Sequence, residues 1–181
     1  TDQESVIKFI NNKIIMSKKN TIYIIDINNQ NNLEYDLNLN NDQKIHYIFE
    51  YNDKIHLLTN SSNLFVIENQ NVLEVANFEI LTNISPILSD KNLKIFSVFG
   101  DIFEINLDNY LILHKDTIRV NNGISKKSNL YEDKANLYYL YNSGTLLTFD
   151  NINYEYFNNY ILDDLNILSS LGVFEELVDA P

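Results

Sequence analysis

The chain repeats one unit four times, and this repeat constrains the fold more than any single motif does. In each copy, an apolar segment is followed by a short polar turn and by a second apolar segment ending in Asp, Glu or Asn. The second segments cover residues 22–26, 64–68, 102–106 and 146–150. A period of about forty residues is typical of repeat folds, in which each unit buries its apolar surface against its neighbours.

Each copy contains four short apolar segments. Around the central pair, flanking segments precede it at residues 6–10, 45–49, 84–88 and 128–131, and others follow it at residues 33–37, 72–75, 110–113 and 154–157. Short polar connections between apolar segments predict antiparallel hairpins joined into a meander. Because the chain has only 4 Gly and 2 Pro, Asn and Asp are expected in the turns, where their side chains bond nearby backbone groups.

The central segments are apolar at nearly consecutive positions. A sheet with one solvated face would alternate, whereas a sheet covered on both faces need not. Blades that stack face to face around an axis have this property. We therefore predict an all-β fold, a β-propeller of about four four-stranded antiparallel blades, over residues 5–39, 45–75, 84–115 and 124–157. A solenoid of parallel coils is the alternative, and the hairpin turns argue against it.

Four blades are about the lower limit for a closed propeller, so the sequence favours an incomplete part of a larger one. An open arc would expose blade faces, which would need missing blades of the same parent chain, a second copy or another protein. The propeller is expected within residues 1–160. The remaining tail, residues 161–181, is predicted to form a short helix or an extra strand, since Leu165, Leu168 and Leu171 have helical spacing.

The composition excludes several classes of partner. A net charge of −12 opposes binding to nucleic acid, which requires a basic face, and to an anionic bilayer. The 0 Cys rule out disulfides and thiolate metal sites. No apolar run reaches the length of a membrane span, so direct membrane insertion is not expected.

No motif for catalysis or for cofactor binding is present. The imidazoles of His46, His56 and His114 lack a second His at ligand spacing and are interpreted as packing or surface residues. Four polar residues recur at the end of the second hairpin strand, which predicts bonding within the turn: Asp26, Glu68, Asn106 and Asp150. We predict no catalytic, metal or cofactor-binding residue, no cofactor, and no enzymatic activity.

Tyrosine is the residue type that most favours a binding function. It is concentrated in the last repeat, and Tyr is enriched in the contact cores of protein interfaces because it buries area while keeping a polar tip. Packing within the blade is the alternative explanation for each residue. The predicted partner-binding residues are Tyr138, Tyr139, Tyr141, Tyr154 and Tyr156.

The third repeat resembles a known propeller family. Residues 85–90, which read Ser-Pro-Ile-Leu-Ser-Asp, and residues 100–106, which read Gly-Asp-Ile-Phe-Glu-Ile-Asn, are similar to the pyrroloquinoline-quinone-type (WD-repeat-like) propeller repeat. Residues 130–150 resemble it nearly as well, and the first two copies match in their apolar skeleton. Quinone-dependent dehydrogenases of that family use repeated Trp and vicinal Cys, and this chain has 0 of each. The resemblance therefore implies the non-enzymatic branch of periplasmic scaffolds.

The first functional hypothesis is a non-catalytic protein-binding scaffold, a propeller section of a bacterial envelope assembly or accessory protein in the periplasm. A cytosolic eukaryotic propeller of the WD-repeat or trafficking-coat kind is the alternative. A quinone-dependent enzyme with a propeller body is the third and least favoured hypothesis.

Overall fold

A computed structural model describes residues 5–82, 84–97, 99–117, 129–140, 145–150 and 156–161. These residues form sixteen strands in four separate sheets, and every strand pair within a sheet is antiparallel. Each sheet contains four strands that are consecutive in the sequence and adjacent in space. This arrangement is a β-propeller of four-stranded blades. Across these same ranges, the chain contains no helix long and apolar enough to cross a bilayer.

The blades follow one another along the chain. Blade 1 consists of β1 (Ile7–Ile10), β2 (Lys13–Lys18), β3 (Thr21–Asp26) and β4 (Asn32–Asp36); blade 2 of β5 (Ile45–Tyr51), β6 (Lys54–Thr59), β7 (Asn63–Glu68) and β8 (Asn71–Asn77). Blade 3 consists of β9 (Ile87–Ser89), β10 (Asn92–Phe96), β11 (Asp101–Asn106) and β12 (Ile112–Thr117); blade 4 of β13 (Asn129–Glu132), β14 (Asn136–Leu140), β15 (Thr145–Asp150) and β16 (Tyr156–Ile161).

Two-residue turns without glycine join several of these strands. Both central residues of the β1–β2 turn have positive φ, 45° at Asn11 and 60° at Asn12. The β5–β6 turn repeats this geometry, with φ values of 49° at Asn52 and 59° at Asp53. A hairpin turn of this kind matches the right-handed twist of its strands and requires positive φ at both positions. Asn and Asp tolerate the left-handed region better than other non-glycine residues, which confirms their predicted role in the turns.

The apolar core is divided into layers between consecutive blades. The first layer joins Ile15, Ile22 and Ile24 of blade 1 to Ile48, Ile55, Leu57 and Phe65 of blade 2. The second joins Phe49, Leu58 and Leu64 of blade 2 to Leu93, Ile95, Phe103 and Ile105 of blade 3. The third joins Phe96 and Ile102 of blade 3 to Leu137 and Phe149 of blade 4. The blades are therefore stacked face to face, as the nearly consecutive apolar residues of the hairpin strands predict.

Each blade has two faces that can be named by what they contact. We call the face directed toward the preceding blade the leading face, and the face directed toward the following blade the trailing face. In blade 2, Leu57 and Phe65 are paired residues on the leading face, while Leu58 and Leu64 are paired on the trailing face. Successive residues of a strand point to opposite faces, so an uninterrupted apolar strand supplies both layers at once.

A buried ion pair links blade 3 to blade 4. The Lys94 ammonium lies 2.7 Å from a carboxylate oxygen of Glu132, and both side chains are largely buried. By contrast, the Lys54–Glu68 pair joins neighbouring strands of blade 2 at 2.9 Å and is much more exposed. The first pair fixes the relative position of two blades, whereas the second stabilises one hairpin.

The outer strands of three blades carry a β-bulge. The register shifts between Leu64 and Phe65 opposite β8, between Glu104 and Ile105 opposite β12, and between Thr148 and Phe149 opposite β16. In β12, the extra residue is Leu113, because Ile112 and His114 pair on either side of it. A bulge increases local twist and disrupts an exposed ladder, which protects a sheet edge against pairing with another strand.

The predicted fold class is confirmed, since all four predicted blades are present and each is an antiparallel meander. The alternative prediction of a parallel solenoid is wrong, because a solenoid would require parallel strand pairing and the described sheets are antiparallel. Pro86 immediately precedes β9, where its missing N–H removes no ladder hydrogen bond. The predicted tail helix falls within residues 162–181, which lie outside the described residues, and the domain boundaries stay predictions.

Candidate functional site

The first candidate surface is an aromatic pair on the trailing face of blade 4. Tyr131 of β13 pairs directly with Tyr138 of β14, and their ring centroids lie 6.0 Å apart at 39°. Tyr131 is 44% exposed, and Tyr138 is half-buried. Paired aromatic rings at this distance attract each other and form a rigid apolar surface with polar tips.

The Tyr138 hydroxyl is held by the short β13–β14 connection. It donates to Asp133 Oδ2 at 2.9 Å and accepts from Asn136 Nδ2 at 3.0 Å. Asp133 Oδ1 also accepts the backbone N–H groups of Ala135 and Asn136, at 2.8 and 2.7 Å. These bonds outweigh burial and lower the pKa of Asp133, whereas burial and the Asp133 bond raise the pKa of Tyr138. The ring of Tyr138 is thus fixed in place with a protonated hydroxyl.

The structure describes the other four predicted tyrosines only in part. Tyr139 pairs with Leu130 and Leu147 in the sheet, and Tyr156 pairs with Phe149. Tyr141 and Tyr154 lie outside the described residues. The predicted binding role of all five tyrosines therefore stays a prediction, and Tyr131 joins them as a neighbour of Tyr138.

The second candidate surface is the leading face of blade 1, which the sequence analysis did not single out. Six residues form it: Ile7, Phe9, Ile14, Met16, Tyr23 and Ile25. Ile7 and Phe9 are 64% and 63% exposed, and the other four are half-buried. A shallow cleft of about 190 Å³ on this side is bounded by Met16, Tyr23, Ile25, Asn32, Leu33 and Glu34. Exposed apolar surface of this kind is typical of interaction sites.

His56, which is buried, and His46, which is half-buried, join blade 2 to blade 3. His56 is stacked on Phe49, with 4.9 Å between ring centroids, and its Nε2 lies 3.0 Å from the Tyr110 hydroxyl. His46 Nε2 lies 2.8 Å from the carbonyl oxygen of Ile84. Burial lowers the pKa of both imidazoles. Within the described ranges no group of three or more His, Asp or Glu side chains could hold a metal ion.

The recurring polar residues at the ends of the second hairpin strands serve the turns. Asp26 Oδ1 accepts the backbone N–H of Asn28 at 2.9 Å, and Asn106 Oδ1 accepts that of Asp108 at 2.8 Å. Glu68 instead pairs with Lys54 across the hairpin. Bonding within the turn is confirmed for Asp26 and Asn106, and Glu68 shows that the same position also supports cross-strand pairing.

Comparison with known structures supports the same fold. BamB from Moraxella catarrhalis is 12% identical with a TM-score of 0.61, and the match covers 85% of this chain and 47% of BamB. Raptor from Chaetomium thermophilum is 12% identical with a TM-score of 0.66, and the match covers 88% of this chain and 16% of Raptor. The N-terminal domain of Nup159 is 11% identical with a TM-score of 0.56, and the match covers 82% of this chain and 41% of that domain. This chain therefore spans about half or less of each. No protein-family model and no curated protein matches the sequence.

Proposed function

We propose that this chain is a section of a non-catalytic propeller scaffold that binds another protein through the Tyr131–Tyr138 pair at the β13 edge of blade 4. The observation that carries the proposal is the Tyr131–Tyr138 pair. One ring is substantially exposed, and the other is held by hydrogen bonds to Asp133 and Asn136. A rigid aromatic pair loses little conformational entropy when it is buried by a partner, which favours a binding role.

The chemistry of the described residues supports the non-catalytic part of the proposal. The buried imidazole of His56 is engaged with Lys54 and Tyr110, and that of His46 with Ile84. The Asp133 carboxylate accepts the backbone N–H groups of Ala135 and Asn136 and the Tyr138 hydroxyl. A general acid or base needs a proton-transfer partner on a substrate, and these groups are committed to the fold.

A bacterial envelope assembly is the proposed setting, in line with the repeat resemblance and with the structural likeness to BamB. A cytosolic propeller of the WD-repeat or trafficking-coat kind is the second candidate, favoured by the likeness to Raptor and Nup159. The full gene separates the two settings. A secretion signal upstream of this region would support the envelope, and recovery of the protein in the cytosolic fraction would contradict it.

Site-specific photocrosslinking in cells of the source organism tests the binding surface. A photoreactive phenylalanine analogue replaces Tyr131, and the matched control places it at Asn28, an exposed turn residue of blade 1. We expect a discrete crosslinked protein at position 131 that is absent at position 28. The Asp133→Ala variant should lower the yield of the crosslinked adduct, because the Tyr138 hydroxyl loses its hydrogen-bond acceptor and the ring is no longer fixed. Identical patterns at both positions, or no adduct at position 131, would contradict the proposal.

A further inference from the structure

The leading face of blade 1 can be compared position by position with the leading faces of the other blades. Met16 pairs with Ile7 on one side and Tyr23 on the other. In blade 2, Leu57 has the same place between Ile48 and Phe65. Register therefore makes Ile7 equivalent to Ile48, Met16 to Leu57 and Tyr23 to Phe65.

The equivalent positions differ sharply in burial. Ile48 is 1% exposed and Ile7 is 64% exposed. Leu57 and Phe65 are buried, as are Ile95 and Phe103 at the same positions of blade 3, whereas Met16 and Tyr23 are half-buried. The residue types are apolar in all three blades, so the difference arises from what covers the face and not from its chemistry.

One kind of surface covers the leading face of blades 2, 3 and 4. In each case it is the trailing face of the preceding blade, which supplies aliphatic or phenyl side chains: Ile15 and Ile24 from blade 1, Leu58 and Leu64 from blade 2, and Phe96 and Ile102 from blade 3. The closely packed layer between two blades is thus mainly apolar on both sides.

We propose that the leading face of blade 1 is a docking site for the trailing face of a further propeller blade of the same ring, carried outside residues 1–181. The trailing face of blade 4 does not suit this role in a second copy of the chain, since Leu146 and Thr148 are already 1% and 4% exposed. The structural matches cover 47% of BamB and 41% of the Nup159 domain, which leaves room for further blades in propellers of that size. This docking site is independent of the partner proposed for Tyr131 and Tyr138.

Methionine oxidation gives a direct readout of this face, because Met16 is the single methionine of the chain. A probe blade is made by inserting a second copy of residues 5–44 in front of Glu4, which reproduces the spacing between Lys44 and Ile48. The inserted copy carries Met16→Leu, so that only the original sulfur reports. Peroxide treatment followed by mass spectrometry then measures sulfoxide formation in the chain with and without the probe blade.

We expect the probe blade to slow oxidation of Met16 by about tenfold or more, because sulfoxide formation requires access to the sulfur. The matched control carries Ile24→Asp on the trailing face of the inserted copy and should restore the original rate. Equal rates with and without the probe blade would overturn the proposal. Protection of the unextended chain that increases with protein concentration would also overturn it, since a second copy would then be the occupant.

Discussion

Blades 1 and 2 share the same strand order, the same turn geometry between their first two strands and a similar apolar pattern, yet of these two only blade 2 is covered on both faces. The trailing face of blade 1 is buried on blade 2 through Ile15 and Ile24, while its leading face leaves Ile7 and Phe9 exposed. The burial alternation within β2 and β3 of blade 1 therefore comes from position in the stack. An apolar pattern alone specifies a face that can be covered, and a neighbouring blade determines whether it is.

The largest expected effect tests this difference at equivalent positions. Phe65→Ala should lower the free energy of unfolding by about 3–5 kcal/mol, because a buried ring is lost and a cavity remains. Tyr23→Ala, its counterpart on the exposed face, should cost about 1 kcal/mol or less. Urea denaturation of both variants measures the two losses. Equal losses would mean that the leading face of blade 1 is covered in solution.

The second prediction compares the buried ion pair between blades 3 and 4 with the exposed ion pair within blade 2. Lys94→Ala leaves the Glu132 carboxylate in a largely buried position, and we expect a loss of about 3 kcal/mol, at the low end for a broken buried pair. Lys54→Ala, which breaks the exposed pair of blade 2, should cost about 1 kcal/mol or less. Thermal denaturation at matched pH compares them. Similar midpoints for the two variants would show that the interblade pair does not contribute more than the exposed one.

The smallest effect concerns pH at the interface of blades 2 and 3. Burial lowers the pKa of His46 and His56 in the folded state, so the unfolded chain binds more protons. This contribution to stability is complete above the unfolded pKa of about 6.5 and is lost as the pH falls below it, by at most about 1.4 kcal/mol per pH unit for each imidazole. Lys44, Lys54 and Tyr110 are titratable groups that neighbour the two imidazoles.

Denaturation curves between pH 8 and 5.5 should show this decline in the parent chain and a flatter profile in His56→Gln. A matched substitution of the exposed Asn28 in blade 1 should leave the slope unchanged. An identical slope in the parent chain and in His56→Gln would show that the imidazole binds protons equally in the folded and unfolded states, which contradicts a lowered pKa.

The sequence predicted the blades well because the relevant signals are local. Apolar runs such as residues 64–67 indicate strands covered on both faces, and polar pairs such as Asn11 and Asn12 indicate turns. The bulge at Leu113 could not be predicted, because it depends on the register between β11 and β12. An open arc was expected to expose blade faces, but residue types alone did not identify this one, since Met16 and Tyr23 resemble their buried counterparts in type.

The candidate site was predictable only in part. Concentration of tyrosine in the last repeat pointed to Tyr138, but its hydrogen bond to Asp133 depends on the shape of the β13–β14 connection. Tyr131 belongs to the same tyrosine-rich repeat but is not among the predicted binding residues. The position of Tyr131 beside Tyr138 follows from the pairing of β13 with β14. Knowledge of that strand register would have identified Tyr131 as part of the candidate site.

The layered core has a consequence for how the molecule loses structure. Each described layer contains residues from two consecutive blades only, so stabilising energy is shared between nearest neighbours, as in a one-dimensional array. Disruption at one end should therefore propagate stepwise, with blade 1 exchanging its amide hydrogens before blade 2, which is held from both sides. Cooperative unfolding of this protein therefore depends on contacts between adjacent blades, and each blade added to the stack contributes one more such contact.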